Sequence, residues 1–349
     1  MLKKLMTYGV GLAVVLGVMT SAQAAEKLRV AMVTSESGLG DRSFNDMMVE
    51  GLKRAKTDLD IEYVVIQPRA ISDFQASLAR AAGQKFDLIV GSSFDMVKPM
   101  EEVAKAFPDQ KFGLIDAGME VPNIVAAVAK DWEGSALAGY LAAKNAKNKK
   151  IGFVGGKDIP VIHRFFAGYY YGAKMADPNV EVFERYSGSF TDPAVGKEYT
   201  LALVNEGSDI NYAVAGATSA GVIDAARESN TFAIGVDSNQ NYLAPGHVLT
   251  SMMKRVDNIT YDMIKSVKDG TFQGGKTLMY GVKEGGVDLA MDENNKDLIS
   301  ADVMKDLDGF KAKIVAGEVV VPNYLDLKPG AKEMGTPPIA TPPSIADAK

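Results

Sequence analysis

Short apolar runs alternate with helix-period segments along most of this chain, in two successive sets. KLRVAMVT (27–34), IEYVVIQ (61–67), FDLIVG (86–91) and KFGLID (111–116) form the first set, with helical patterns at about 43–58, 71–83 and 95–107 between them. KKIGFVGG (149–156), VEVFERYS (180–187), INYAVAG (210–216), TFAIGVD (231–237) and HVLTSMM (247–253) form the second. Helices at about 132–147, 160–176, 192–206 and 218–228 separate these runs. Strands that are apolar almost throughout are covered on both faces, so the pattern predicts parallel sheets flanked by helices. The expected fold is α/β, two doubly wound Rossmann-like lobes joined by a hinge. Pro160 and Asp192-Pro193 suit helix openings, since proline fits the first turn and aspartate caps it. Ser72 with Gln75 reads as a capping box.

A helix at 254–269 and the short run LMYGVK (278–283) come too late to begin a third domain. They are expected to return to the first lobe, and 286–325 to the second. The lobes are then 25–128 plus 254–285 and 129–253 plus 286–328, with a proline-rich disordered tail at 329–349. The opening residues read as a signal peptide over 1–24. Lys3 and Lys4 precede the apolar run 9–19, and Ala22-Gln23-Ala24 is a small-x-small cleavage site. That run is shorter than the roughly 20 residues that span a bilayer. There is no cysteine. Disulfides, thiol catalysis and cysteine metal sites are excluded, as is a lipid-modified cysteine at the cleavage point. A free periplasmic protein is expected. Acids outnumber bases 44 to 38, and the leader removes two of the bases, which argues against a nucleic-acid polymer as partner.

In open parallel sheets ligands sit beyond the carboxyl ends of the strands. That rule alone selects Ser35–Asn45, Gly91–Asp95, Asp116–Gly118, Gly155–Phe166, Ala215–Gly221, Asp237–Gln240 and Lys254. In ESGLGDRSFND (36–46), Asp41 and Ser43 read as helix caps, with Asp46 three residues after Ser43. Phe44 is then either core or a stacking surface displayed to the cleft. The aromatic stretch HRFFAGYYYGAK (163–174) cannot place all its rings on one helix face. Phe166, near the helix start, is the ligand candidate among them. Asp237 and Lys254 form either a structural ion pair or a fork onto vicinal hydroxyls, the acid accepting and the base donating. AGATSAG (215–221) lacks the lysine and spacing of a phosphate loop. His163 and His247 stand far apart with no zinc pattern around either, and no GxSxG is present. No metal or cofactor is expected, and no catalytic constellation assembles.

GDRSFND, VGSSF (90–94), LIDAG, EGSALAG (133–139), GSFTDPAVGKE (188–198), AVAGATSAG, AIGVDSNQ and LTSMMKRVD run in order over about residues 27–285. In these the chain resembles the basic-membrane-protein family, substrate-binding proteins of ABC transporters similar to the purine nucleoside receptor of spirochaetes. The resemblance implies the type I periplasmic binding protein fold, a monomer, a nucleoside ligand and a membrane permease as partner. It implies a purine-stacking role for Phe44 beside Asn45, a second aromatic at or next to Tyr212, and a site aspartate at Asp116. Ribose hydroxyls fall to Asp237 and Lys254, with the backbone of Gly216 close to the sugar. The chain departs from the family pattern where Ser35, followed by Glu36, takes the first acidic position of the loop and Gly40 precedes Asp41. Glu36 can accept from two N–H donors such as guanine presents. The alternatives are a sugar receptor of the same fold, a sensor subunit, and a nucleoside-processing enzyme. The last lacks a clustered-aspartate metal motif or a histidine near the expected site.

Overall fold

The computed structural model describes residues 26–326; the expected signal peptide and the tail at 329–349 lie outside them. The first half runs β1 (Arg29–Val33), α1 (Phe44–Leu59), β2 (Glu62–Ile66), α2 (Phe74–Gly83), β3 (Leu88–Gly91), α3 (Val97–Ala106), β4 (Phe112–Ile115) and β5 (Ile124–Ala129). Then follow α4 (Asp131–Asn145), β6 (Lys150–Gly155), α5 (Pro160–Ala176), β7 (Glu181–Tyr186), α6 (Pro193–Asn205), β8 (Ile210–Val214), α7 (Ser219–Glu228), β9 (Phe232–Asp237) and β10 (Val248–Lys254). The chain closes with α8 (Val256–Lys268), β11 (Lys276–Tyr280), β12 (Val287–Leu289) and α9 (Ala301–Ala316).

The two sheets share one topology. Their strand orders are β2-β1-β3-β4-β5-β11 and β7-β6-β8-β9-β10-β12. Every pairing is parallel except that of β10 with β12. The chain leaves the first sheet after β5, returns to it at β11, and goes back to the second for β12. In each sheet the order reverses once, between β1 and β3 and between β6 and β8. Such switch points open a crevice at the strand ends, and here the two crevices face each other across the lobe interface.

β5 has no counterpart among the runs found from sequence. Its IVAAVA is half alanine, a weak strand former, yet the strand is buried along its whole length and sits inside the sheet. Pro160 opens α5, and the Asp192 carboxylate caps α6 by accepting from the Ala194 and Val195 N–H groups, as expected. The Ser72–Gln75 capping box does not form. A 3-10 turn at Ile71–Asp73 precedes α2 with no side-chain cap, and the Gln75 amide donates to Glu102 Oε2 instead, at 2.9 Å. No described helix is long and apolar enough to cross a membrane.

Candidate functional site

A cavity, partly open to solvent, lies between the lobes at the two switch points. Ser35, Glu36, Asp41, Phe44 and Asp116 line it from the first lobe, and Gly216, Asp237 and Lys254 from the second. All eight come from the expected set.

The loop before α1 is built around Asp41. Its buried carboxylate accepts from the N–H groups of Ser43 (3.0 Å), Asn45 (2.9 Å) and Asp46 (3.2 Å), so it satisfies the orphan donors of the helix start. Burial pushes its pKa up against these hydrogen bonds. Ser43 does not cap. Its hydroxyl reaches across the cleft and donates to Asp237 Oδ2. Asp46 faces back along the loop and accepts from Gly40 and Arg42 N–H at 2.9 Å each. Arg42, left-handed at φ 51°, presents its carbonyl to Ser238 Oγ (2.7 Å) and Gln240 Nε2 (2.8 Å) of the other lobe. Lys157 adds an ion pair to Glu36 from the opposite side.

The floor is a cluster of buried charges. Lys254, 1% exposed, places Nζ 2.6 Å from Asp116 Oδ1 and 3.5 Å from Asp131 Oδ2. Arg164 Nη2 lies 2.6 Å from Asp131 Oδ2 and 3.2 Å from Asp116 Oδ1. Burial works against charge on Lys254, but Asp116, Asp131 and Asp237 outweigh it and raise its pKa. Burial likewise works against ionisation of Asp116, and Lys254 with Arg164 reverses this and lowers its pKa. Lys254 also lies over the rings of Phe44 and Phe165, at 5.2 and 5.1 Å from their centroids. Asp237 and Lys254 do not form the ion pair of the first reading: the lysine's ion pairs go to Asp116 and Asp131. Asp237 is held by Ser43, and its other carboxylate oxygen has no hydrogen bond among the described residues. Both strand-end aspartates are left-handed, Asp116 at φ 84° and Asp237 at φ 65°. That conformation is costly for a non-glycine residue and clusters at functional sites.

Burial raises the Asp237 pKa to about 6. The folded value lies above the unfolded one, so the empty protein loses stability as pH rises through the interval between them. A hydroxyl donor is accepted more strongly by the ionised carboxylate, so affinity for a hydroxylated ligand moves the other way. Binding should be about tenfold weaker at pH 5 than at pH 7, read by calorimetric titration at the two values. A flat profile would show that Asp237 does not meet the ligand.

Three expected site residues are not on the cavity wall. Phe166 packs edge-on against Phe153 at 5.3 Å; one helical step turns it toward the sheet, and Phe165 takes the wall position. Tyr212 sits in the middle of β8, fully buried, with its hydroxyl 3.2 Å from Ser135 Oγ and its ring against Tyr169. The second-lobe aromatic next to Gly216 is Phe190, of GSFTDP. Asn45 lies behind the wall, where its amide donates to Ser35 Oγ and Asp41 Oδ2 and its carbonyl oxygen accepts from the Ser35 N–H. Sequence reasoning gave no role to Arg164, Asp131 or Phe190. Asp131 follows β5, so missing that strand hid it from the strand-end rule. Among the described residues no three His, Asp or Glu side chains group to hold a metal ion.

Residues 28–324 match the family described as "ABC transporter substrate-binding protein PnrA-like". The ABC transporter nucleoside-binding protein BmpA of Lactococcus lactis is 33% identical over 326 residues, which cover 87% of this chain and 92% of that protein. Basic membrane protein A of Borreliella afzelii is 34% identical over 81% of this chain and 88% of its own length. The crystal structure of an ABC transporter system solute-binding protein from Aeropyrum pernix superimposes with a TM-score of 0.79 at 31% identity, over 84% of this chain and 94% of that one. The expected type I fold of two parallel-sheet lobes is the one observed, and these relatives are binding proteins rather than enzymes. The chain is a member of the Bmp family, the PnrA-like substrate-binding proteins of ABC transporters.

Proposed function

We propose that this protein captures nucleosides, purine nucleosides foremost, and delivers them to the permease of an ABC importer. The observation that carries this reading is one cavity that holds Phe44 and Phe190 from opposite lobes together with Asp237 and Lys254. Two aromatic rings suit a planar base, and each stacking contact contributes about 1–3 kcal/mol. An acceptor and a donor side by side suit vicinal hydroxyls. A bare base leaves the second oxygen of buried Asp237 without a donor, so the sugar adds to affinity beyond the base. A neutral ligand also fits the charge balance, since the lysine already has its carboxylate partners. The leader-like residues 1–24 support export to the periplasm, where a closed monomer presents its ligand to the membrane.

Native mass spectrometry of the freshly purified protein tests the ligand class. The expected result is a retained mass equal to that of a nucleoside; a retained pentose or hexose contradicts it. Phe44→Ala and Phe190→Ala should each weaken nucleoside binding by at least about 1 kcal/mol, roughly fivefold. Phe166→Ala should instead leave affinity near wild type while destabilising the fold by about 3–5 kcal/mol, because it empties core space. Calorimetry and urea unfolding on the three variants separate the two roles. Equal affinities for all three would remove the aromatics from the site.

A further inference from the structure

The cavity has two charged ends. Asp237 lies with Lys254, Asp41 and Asp116 at one end, and Asp95 with Glu36 at the other, where Lys157 pairs with Glu36. The loops after β1 and β3 form the Asp95 end, with Ser35–Ser37 and Ser92–Asp95 on its wall. Most polar side chains there are already engaged. Asn45 holds the N–H and hydroxyl of Ser35, Ser92 donates to the Val33 carbonyl at 2.8 Å, and Lys157 occupies Glu36 from across the cleft.

Asp95 differs from its neighbours. Its N–H donates to Ser93 Oγ at 3.1 Å. Its carboxylate has that hydroxyl beside it and no ion-pair partner among the described residues. The residue is half-buried on the cavity wall, and burial pushes its pKa up. Beyond the Ser93 hydroxyl, a carboxylate so placed keeps acceptor capacity for a ligand donor.

This inference rests on the nucleoside reading. With ribose at Asp237 and Lys254 and the base between Phe44 and Phe190, the outer edge of the base falls at this end. We propose that Asp95 reads that edge, accepting from adjacent ring N–H and exocyclic amino donors, so that the site prefers guanosine to adenosine. An ionised carboxylate only accepts, and its two oxygens match two parallel N–H donors. Guanine offers such a pair on one edge. Adenine offers an amino group beside a ring nitrogen lone pair, which faces the second oxygen repulsively. Inosine keeps the ring N–H alone and ranks between them. Glu36, the sequence-based candidate for this role, is occupied by Lys157.

The test is calorimetric titration of wild type, Asp95→Ala and Asp95→Asn with guanosine, inosine and adenosine. Wild type should bind guanosine at least about tenfold more tightly than adenosine, the equivalent of one good hydrogen bond. Asp95→Ala should lose about tenfold or more for guanosine and change little for adenosine. Asp95→Asn should shift the preference toward adenosine, because an amide both donates and accepts. A uniform loss for all three ligands, or an unchanged ranking, overturns the assignment while leaving the nucleoside reading in place. Wild type that binds none of the three overturns that reading itself.

Discussion

Lys254→Met should weaken nucleoside binding strongly and cost the fold about 3–5 kcal/mol. Lys254 is 1% exposed and its ammonium lies 2.6 Å from Asp116 Oδ1. Its loss leaves Asp116 and Asp131 sharing the single guanidinium of Arg164. Removing one partner of a buried pair strands the other charge in low dielectric, which is far worse than removing both. Binding should weaken by about a hundredfold or more, as for other truncated buried charge contacts. Lys254→Met with Asp116→Asn relieves the stranded charge, so the double variant should recover much of the stability and none of the affinity. Urea unfolding and calorimetry on both variants check this. Wild-type stability in the single variant would mean that the lysine's charge is already satisfied by solvent.

Gly172→Ala should destabilise the protein by about 3 kcal/mol or more. In an exposed helix the same change is stabilising by roughly 0.5–1 kcal/mol, so the predicted sign is opposite to the intrinsic preference. α4 and α5 cross at backbone contact. A Cβ at Gly172 would stand 1.8 Å from the Ala136 carbonyl oxygen, and one at Gly139 would stand 1.9 Å from that of Tyr169. Backbone cannot rotate away as a side chain can, so the helices must separate. α4 begins with Asp131 and α5 carries Arg164, which are paired at 2.6 Å. Separation therefore loosens the charged floor under Lys254, and nucleoside affinity should fall although Gly172 is not on the cavity wall. A urea midpoint equal to wild type would contradict the close crossing.

Much of this architecture is legible from periodicity, because parallel strands buried on both faces leave dense apolar runs. β5 is the exception. Its alanines carry little strand signal, and only its place between β4 and β11 makes it a strand. The strand-end rule reaches Ser35, Asp116, Asp237 and Lys254 because topology alone carries them to the cleft. It cannot settle helix phase in HRFFAGYYYGAK, where neighbouring aromatics make every face apolar, so Phe166 was expected where Phe165 stands. Nor does sequence distance show that Arg164 and Asp131 meet Asp116 and Lys254. Four charges from separate segments converge only once both lobes are folded. Phe190 sits on a loop after β7 with no periodicity to mark it.

In the proposed function one cavity needs base and sugar together. The most direct test is calorimetric titration of ligand-stripped protein with a purine nucleoside, with the corresponding free base, and with ribose. One nucleoside should bind per chain, with affinities for base or ribose alone at least about a hundredfold weaker. Ribose binding as tightly as the nucleoside, or a free base doing so, would contradict it.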